Sequence, residues 1–332
     1  MSMLFDSFGR QITYLRLAVT DRCNLRCTYC MPAEGIDIVN RKELLTYKEM
    51  YRIVRVLTEL GITKLRLTGG EPFVRKDFIR FLDMLSFNDL LEEIHITTNG
   101  TLISEHVEQL QKLSKVKSVN LSIDSLNSEN FLRISRRDLF TKVMQALTIL
   151  EQSDLKLKLN VVVQSGVNTD EINDFVALVK DKDIELRFIE EMPFNGFGKR
   201  AVDIPWNYEK IFEEIKRKNP SIQPLPIEKS STSHLFTIEG SKGIVGIIPA
   251  YTRTICSDCN RIRITSKGEL KNCLFDEGVY SIRDFIRAGA SNEELKQQFI
   301  QLVSKKPKDG FQAELSRQKN KLVSESMSTI GG

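Results

Sequence analysis

Cysteine and histidine are scarce in this chain: it has six cysteines and three histidines in 332 residues. Six cysteines are too few for a disulfide scaffold. Long apolar runs are missing too, since no stretch approaches the roughly 18 uninterrupted apolar residues of a membrane span. Residues 1–16 lack the basic-then-apolar pattern of a secretory signal. The expected location is therefore cytoplasmic, with no membrane partner. Charge of one sign is not in large excess either: 48 Lys and Arg against 44 Asp and Glu leave +4. That is too little to indicate a nucleic-acid surface, although a local basic pocket for phosphate remains open.

What the chain does contain is ordinary for a globular protein, with 41% hydrophobic and 28% charged residues. That balance excludes a disordered or collagen-like chain, and the length suits one large or two modest domains. In a reducing compartment, grouped cysteines read as metal ligands or catalytic thiols rather than disulfides. The positions of the six cysteines therefore carry most of the information.

Six β-rich runs recur at residues 14–20, 64–68, 93–98, 118–124, 157–163 and 185–190, each followed by a segment of helical periodicity. Thr46 and Glu49 form a capping box ahead of Ile53, Val54, Leu57 and Leu60, and Gly61 suits the helix end. Asn168 or Thr169 is expected to cap a later helix carrying Ile172, Phe175, Val176 and Val179. Strand and helix in alternation predict a parallel sheet with right-handed crossovers. The unusual residues fall just after the runs, which favours a barrel-type active face over an open sheet with one switch point. The predicted fold is α/β, a partial, incomplete TIM-type barrel of about six βα units. Residues 1–193 form that barrel. Residues 194–332 are expected to pack on it as a smaller region with hairpins at 236–248 and 261–274, closing the barrel mouth.

Cys23, Cys27 and Cys30 make a Cys-x3-Cys-x2-Cys loop after the first run. Three thiolates in eight residues can converge on one centre and leave a coordination position open. A structural zinc would close its site with a fourth Cys or His, and the nearest His in sequence is His95. A 4Fe-4S cluster with one open iron fits better; zinc and three isolated buried cysteines are the alternatives. Gly69-Gly70-Glu71-Pro72 ends the second run, with glycines that permit close backbone approach and a proline that stiffens the turn. Cys256, Cys259 and Cys273 form a second triplet, again without a nearby histidine. It suits a second cluster with a free iron or a zinc knuckle lacking one ligand. Between these ligands, Arg261 and Arg263 fall on one face of a strand, where forked donors suit phosphate.

The first triplet followed by Gly-Gly-Glu-Pro on the next run resembles the radical S-adenosylmethionine superfamily. That resemblance implies a cluster whose open iron chelates S-adenosylmethionine and whose electron cleaves it to a hydrogen-abstracting 5'-deoxyadenosyl radical. The second triplet with its Arg-x-Arg insert narrows the likeness to the GTP 3',8-cyclase family, which begins molybdenum cofactor biosynthesis, over nearly the whole chain. The resemblance implies two 4Fe-4S clusters, the second holding the guanine base, and a lyase that joins ribose C3' of GTP to C8. It further implies contacts to S-adenosylmethionine from Tyr29, Gly70, Ser122 and Met192. Contacts to GTP would come from Arg16, Arg66, Thr97, Lys158, Arg261, Ile262 and Arg263. The terminal Gly331 and Gly332 would enter the active site as a catalytic tail. Implied partners are an electron donor of flavodoxin or ferredoxin type and a cyclic pyranopterin monophosphate synthase that takes the product. No nucleic-acid partner is implied, and the chain would act as a monomer or homodimer.

The segments 195–203 and 224–235 fit that resemblance poorly, and His234 reads as structural or surface. Two rival readings remain. One is a peptide-modifying radical S-adenosylmethionine enzyme, which would usually carry more than three extra cysteines. The other is a non-catalytic iron-sulfur or zinc protein that senses redox state or binds RNA, which would need a concentrated basic face.

Overall fold

In a computed structural model, the structure describes residues 3–37, 39–192, 205–276, 280–316 and 326–331. The segment 195–203 and Gly332 lie outside the described residues.

Alternation sets the first strand. In β1 (Tyr14–Ala18), Leu15 and Leu17 are fully buried against the helices, while Tyr14 and Arg16 face the opposite side. Five further strands repeat the arrangement: β2 (Lys64–Thr68), β3 (Glu93–Thr98), β4 (Val116–Ser122), β5 (Lys156–Val163) and β6 (Glu185–Glu190). Helices between them include Tyr47–Glu59, Phe78–Ser86, Phe140–Glu151 and Ile172–Val179, and their apolar faces complete one large core. Thr46 caps the first of these helices in a full capping box with Glu49, and Gly61 follows its end at φ 93°. Asn168 stands at the N-cap position of a short 3-10 turn, Thr169–Glu171, that leads into the helix, but neither its side chain nor that of Thr169 caps it. The Asn168 side-chain amide donates to the carbonyls of Asp124 and Val162, and its oxygen accepts from Gln164 N, so it stitches strand ends together instead. Among the described residues, no helix is long and apolar enough to cross a membrane.

The later region departs from expectation. It contributes β7 (Gln223–Pro224), β8 (His234–Thr237), β9 (Ile244–Ile248), β10 (Arg261–Ile264), β11 (Glu269–Lys271) and β12 (Tyr280–Ser281). The two hairpins form, but they do not sit apart on the barrel. β9 joins β6 in parallel and β10 joins β1 in parallel, giving one sheet in the order β12-β11-β10-β1-β2-β3-β4-β5-β6-β9-β8-β7. The parallel part thus runs from β10 to β9, two strands wider than the six predicted. Residues from every one of these strands except β7, β8, β11 and β12 face a single chamber, so the sheet is curled around it as an incomplete barrel.

Strand direction then places the cysteines. The loop after β1 puts Cys23, Cys27 and Cys30 at the C-terminal end of the parallel strands. Cys256 and Cys259 precede β10, and Cys273 follows the antiparallel β11, so the second triplet lies at the N-terminal end. The second group therefore does not close the same mouth as the first; the two lie at opposite ends of the chamber.

Candidate active site

The chamber encloses a cavity of about 350 Å³, and all six cysteines line it. That volume falls within the range of small-molecule and cofactor pockets.

At the upper end the first cysteine loop is held by backbone pairing. Arg26 N donates to Ser135 O and Thr28 N to Ile134 O, while Arg136 Nη1 donates to both Arg26 O and Met31 O at 3.0 Å. The two glycines of the Gly-Gly-Glu-Pro turn serve this same loop. A Cβ on Gly69 would stand 2.2 Å from Thr20 O, and one on Gly70 would stand 2.2 Å from Arg22 O. Only glycines let the end of β2 press against the cysteine loop, where Gly70 N donates to Thr20 O and Glu71 N to Arg22 O. Glu71 is fully buried and accepts from Thr98 Oγ1, Asn99 N and Phe73 N. Burial pushes its carboxyl up to about 7 against the pull of those donors. Asn99 in turn reaches Cys23 Sγ and Asn24 Oδ1. Tyr29 is fixed by donating to Asp124 Oδ2 at 2.9 Å, and Asp124 also accepts from Val162 N.

Burial raises the Cys23 thiol to about 12 and lifts Cys27 and Cys30 as well; neighbouring thiols add to the rise at Cys23 and Cys27, and Asp124 adds to it at Cys27 and Cys30. Cys256 and Cys273 are raised by burial. Burial acts on Cys259 too, but Lys306 and Arg261 outweigh it and bring that thiol down to about 5. Thiols that stay protonated alone ionise when a metal takes them. Among the described residues, no three Cys, His, Asp or Glu side chains are gathered closely enough to hold a single metal ion. Both donor sets are all sulfur, the set that iron-sulfur clusters ordinarily take.

Between the triplets lie rungs of cations. The register aligns Arg263, Arg16 and Arg66 across β10, β1 and β2, and one rung lower it aligns Arg261, Tyr14 and Lys64. Arg16, Arg66, Arg261 and Arg263 all line the chamber, as does Arg187 from β6. Burial and mutual repulsion depress three of them: Arg16 well below its ordinary value, Arg263 to about 10 beside Arg261, and Arg187 to about 10 beside Arg66, whereas the Cys259 thiol outweighs burial at Arg261 and raises it. A polyanion in the chamber would relieve that repulsion. Thr97 accepts from Arg66 Nη1 at 3.3 Å. Arg66 Nε donates to Tyr14 Oη at 2.5 Å. Burial alone would raise the Tyr14 phenol, but Arg66, Arg16 and Arg261 outweigh it and hold it below its ordinary value.

The structure brings Tyr29, Gly70, Ser122, Met192, Arg16, Arg66, Thr97, Arg261 and Arg263 to the chamber wall with the six cysteines. It does not bring Ile262, whose side chain alternation turns into the core at 0% exposure. Lys158 lies below Asn160 on β5 and is paired with Glu185 at 2.5 Å rather than standing free. Gly331, at φ 76°, sits over the ends of β1 and β2, and its carbonyl accepts from Arg263 Nη1. Tyr14, Asn120, Asn160 and Arg187 also line the chamber and were not among the predicted residues. Asn120 Oδ1, Asn160 Oδ1 and Arg187 Nη2 have no hydrogen-bond partner among the described residues. Their signal was a polar residue alternating with buried apolar residues inside a strand, as in Leu186-Arg187-Phe188.

Residues 17–179 match the Radical SAM superfamily, the class that this curled sheet and cysteine loop call for. Residues 184–311 match Molybdenum Cofactor Synthesis C. Over 98% of its length the chain is 38% identical to the GTP 3',8-cyclase of Thermodesulfovibrio yellowstonii, covering 99% of that protein. The enzyme of the same name from Peptoclostridium acidaminophilum is 39% identical over the full chain and 99% of its own length. The chain therefore belongs to the GTP 3',8-cyclase family. Molybdenum cofactor biosynthesis protein 1 of Bos taurus is 42% identical over 89% of the chain. The chain spans about half the length of that relative, 46%. Among solved structures, Streptococcus suis SuiB shares the fold with a TM-score of 0.65 at 14% identity, covering 94% of this chain and 70% of its own. A structure of anSMEcpe with bound AdoMet gives 0.56 at 17% identity over 88% and 81%.

Proposed function

We propose that this protein is a radical S-adenosylmethionine lyase that converts GTP to 3',8-cyclo-7,8-dihydro-GTP, an early step of molybdenum cofactor biosynthesis. The observation that carries the reading is one chamber with a cysteine triplet at each end and guanidinium rungs between them. Cys23, Cys27 and Cys30 would hold one 4Fe-4S cluster, and Cys256, Cys259 and Cys273 a second. When bound, the first cluster and S-adenosylmethionine supply the one-electron chemistry that removes a hydrogen from ribose C3' of GTP.

The chain's own residues bind, orient and enclose. Tyr29, Gly70, Ser122 and Met192 form the S-adenosylmethionine side of the chamber, and Asp124 fixes the Tyr29 ring by its hydrogen bond. Arg16, Arg66, Arg261, Arg263 and Arg187 provide forked donors for a triphosphate, with Thr97 steadying Arg66. Lys158 contributes positive charge shared with Glu185. The backbone of Ile262 lies between the two arginines of β10. Gly331 covers the strand ends above Arg263, where a side chain would meet Thr68 and Ala18; Gly332 is assigned to the catalytic tail by the family resemblance alone. That cover excludes water from the reacting centre. We assign residues 1–193 to the half that holds S-adenosylmethionine and residues 194–332 to the half that completes the GTP site. A flavodoxin- or ferredoxin-type donor would reduce the first cluster, and a cyclic pyranopterin monophosphate synthase would take the product.

The test is anaerobic reconstitution with iron and sulfide, then assay with dithionite, S-adenosylmethionine and GTP. The expected result is about eight irons per chain, from two four-iron centres, and 5'-deoxyadenosine formation that depends on GTP. Zinc at the second triplet, or cleavage that proceeds equally without GTP, would refute the reading.

A further inference from the structure

Tyr14 opens β1 with its ring on the chamber side, between Arg261 on β10 and Lys64 on β2. One rung above lie Arg16, Arg66 and Arg263. Its residue exposure is 9%, so the phenol is largely removed from bulk water. Tyr14 Oη already accepts from Arg66 Nε at 2.5 Å. That uses the oxygen as acceptor and leaves its own hydrogen to be donated. The charged groups around it cannot take that hydrogen, because guanidinium and ammonium groups only donate. Thr97 Oγ1, the nearest hydroxyl tied to the same arginine, is itself accepting from Arg66 Nη1. A buried hydroxyl with an unmet donor costs on the order of 1–3 kcal/mol, so its natural acceptor is an anionic oxygen entering the chamber.

We propose that Tyr14 donates a hydrogen bond to a phosphate oxygen of the bound nucleotide and, by accepting from Arg66 Nε, turns the outer edge of that guanidinium toward the same phosphate. The phenol adds a short, directed neutral donor among the cations of its two rungs. It thereby gives geometric selection for a phosphate chain where charge alone would accept any anion. Arg66 is then held on two sides, by Tyr14 at Nε and by Thr97 at Nη1, with its remaining donors free to fork onto the ligand. This inference rests on the reading of the chamber as a GTP site.

The experiment compares GTP and unphosphorylated guanosine by anaerobic equilibrium dialysis against iron-loaded wild type and Tyr14→Phe. A lost hydrogen bond to a charged group is worth about 1.5–3 kcal/mol, which at 1.4 kcal/mol per decade predicts about 10- to 100-fold weaker GTP binding. Guanosine binding should stay within about twofold, because guanosine lacks the phosphate the phenol would meet. Equal loss of both ligands, or no loss of either, would overturn the proposal. If Tyr14→Phe does not take up iron, Tyr14→Gln serves, since its amide carries both an acceptor for Arg66 and a donor for phosphate. It should bind GTP more tightly than Tyr14→Ala, and equal affinity for those two variants would also overturn it. Wild type that fails to bind GTP at all would sink the substrate reading itself, a result distinct from wild-type binding that Tyr14→Phe leaves untouched.

Discussion

Glu190, the last residue of β6, offers a sharp test of how the two halves of the chamber are joined. Its carboxylate is fully buried and faces only donors. Oε1 accepts from Tyr208 N at 2.7 Å and Thr252 Oγ1 at 3.0 Å, and Oε2 accepts from Tyr251 N at 2.7 Å and Thr252 N at 2.8 Å. Tyr208 begins the helix Tyr208–Lys218, and Thr252 lies on the turn that leads to Cys256. Glu190→Gln keeps the shape but turns one acceptor into a donor. The amide does least harm on the Oε1 side, where the Thr252 hydroxyl can rotate to accept and only Tyr208 N is stranded. A stranded backbone N–H costs about 1–3 kcal/mol, and the surviving bonds weaken because charge-assisted bonds are roughly twice as strong as neutral ones. Relief of carboxylate burial offsets part of this, leaving an expected loss of about 2–4 kcal/mol. The assay is urea unfolding together with iron counting after reconstitution. The expected variant has a lower unfolding midpoint and holds closer to four irons than eight, the loss falling on the second triplet. A variant within about 0.5 kcal/mol of wild type that retains all its iron would refute the argument that Glu190 anchors the second half.

Two further outcomes follow from buried groups. Gly331→Val places a branched side chain at φ 76°, where even a Cβ would stand 3.0 Å from Thr68 Cγ2 and 3.3 Å from Ala18 Cβ. Left-handed strain costs about 1–2 kcal/mol, which the terminal segment relieves by leaving its seat, a local opening, so GTP turnover should fall about tenfold or more while the unfolding midpoint changes little; unchanged turnover would dismiss the tail as a cover. His95 is held to about 3, chiefly by burial and then by the charges of Arg66 and Lys64, while Ser118 and Glu93 bond its two ring nitrogens. Because the folded value lies below the ordinary 6.5, its contribution to stability is complete above that pH and is lost as pH falls toward 3. The loss should reach about 2 kcal/mol near pH 5, and His95→Gln should flatten that acid limb in a pH series of urea melts; equal slopes would show that another group governs it.

Most of the βα repeat could be read directly from alternation and capping, because those signals are local. Thr46 and Glu49, and Leu15 with Leu17, each declare their roles within a few residues. The edge a strand joins is not local. The hairpin signals at 236–248 and 261–274 were sound, yet nothing within them says that β9 extends β6 or that β10 extends β1. The same gap hid the separation of the triplets, since strand direction relative to β1 decides which end Cys259 occupies. Lys158 reads as a GTP contact in the sequence, but the parallel register sets it directly beside Glu185, the first residue of β6, a pairing that no local signal announces. Arg187 was missed because its apolar flanks read as ordinary buried strand.

The pairing of β1 with β10 joins Tyr14 to Arg261. Chains emerge from the ribosome N-terminus first, so β1 is made early and then waits through most of synthesis with one edge unsatisfied. An open strand edge is a template for unwanted pairing, and contacts this distant in sequence form slowly. The guanidinium rung that the finished sheet needs also serves during this wait: Arg16 places a charge in the middle of the exposed strand and discourages wrong partners until Arg263 arrives to complete the row.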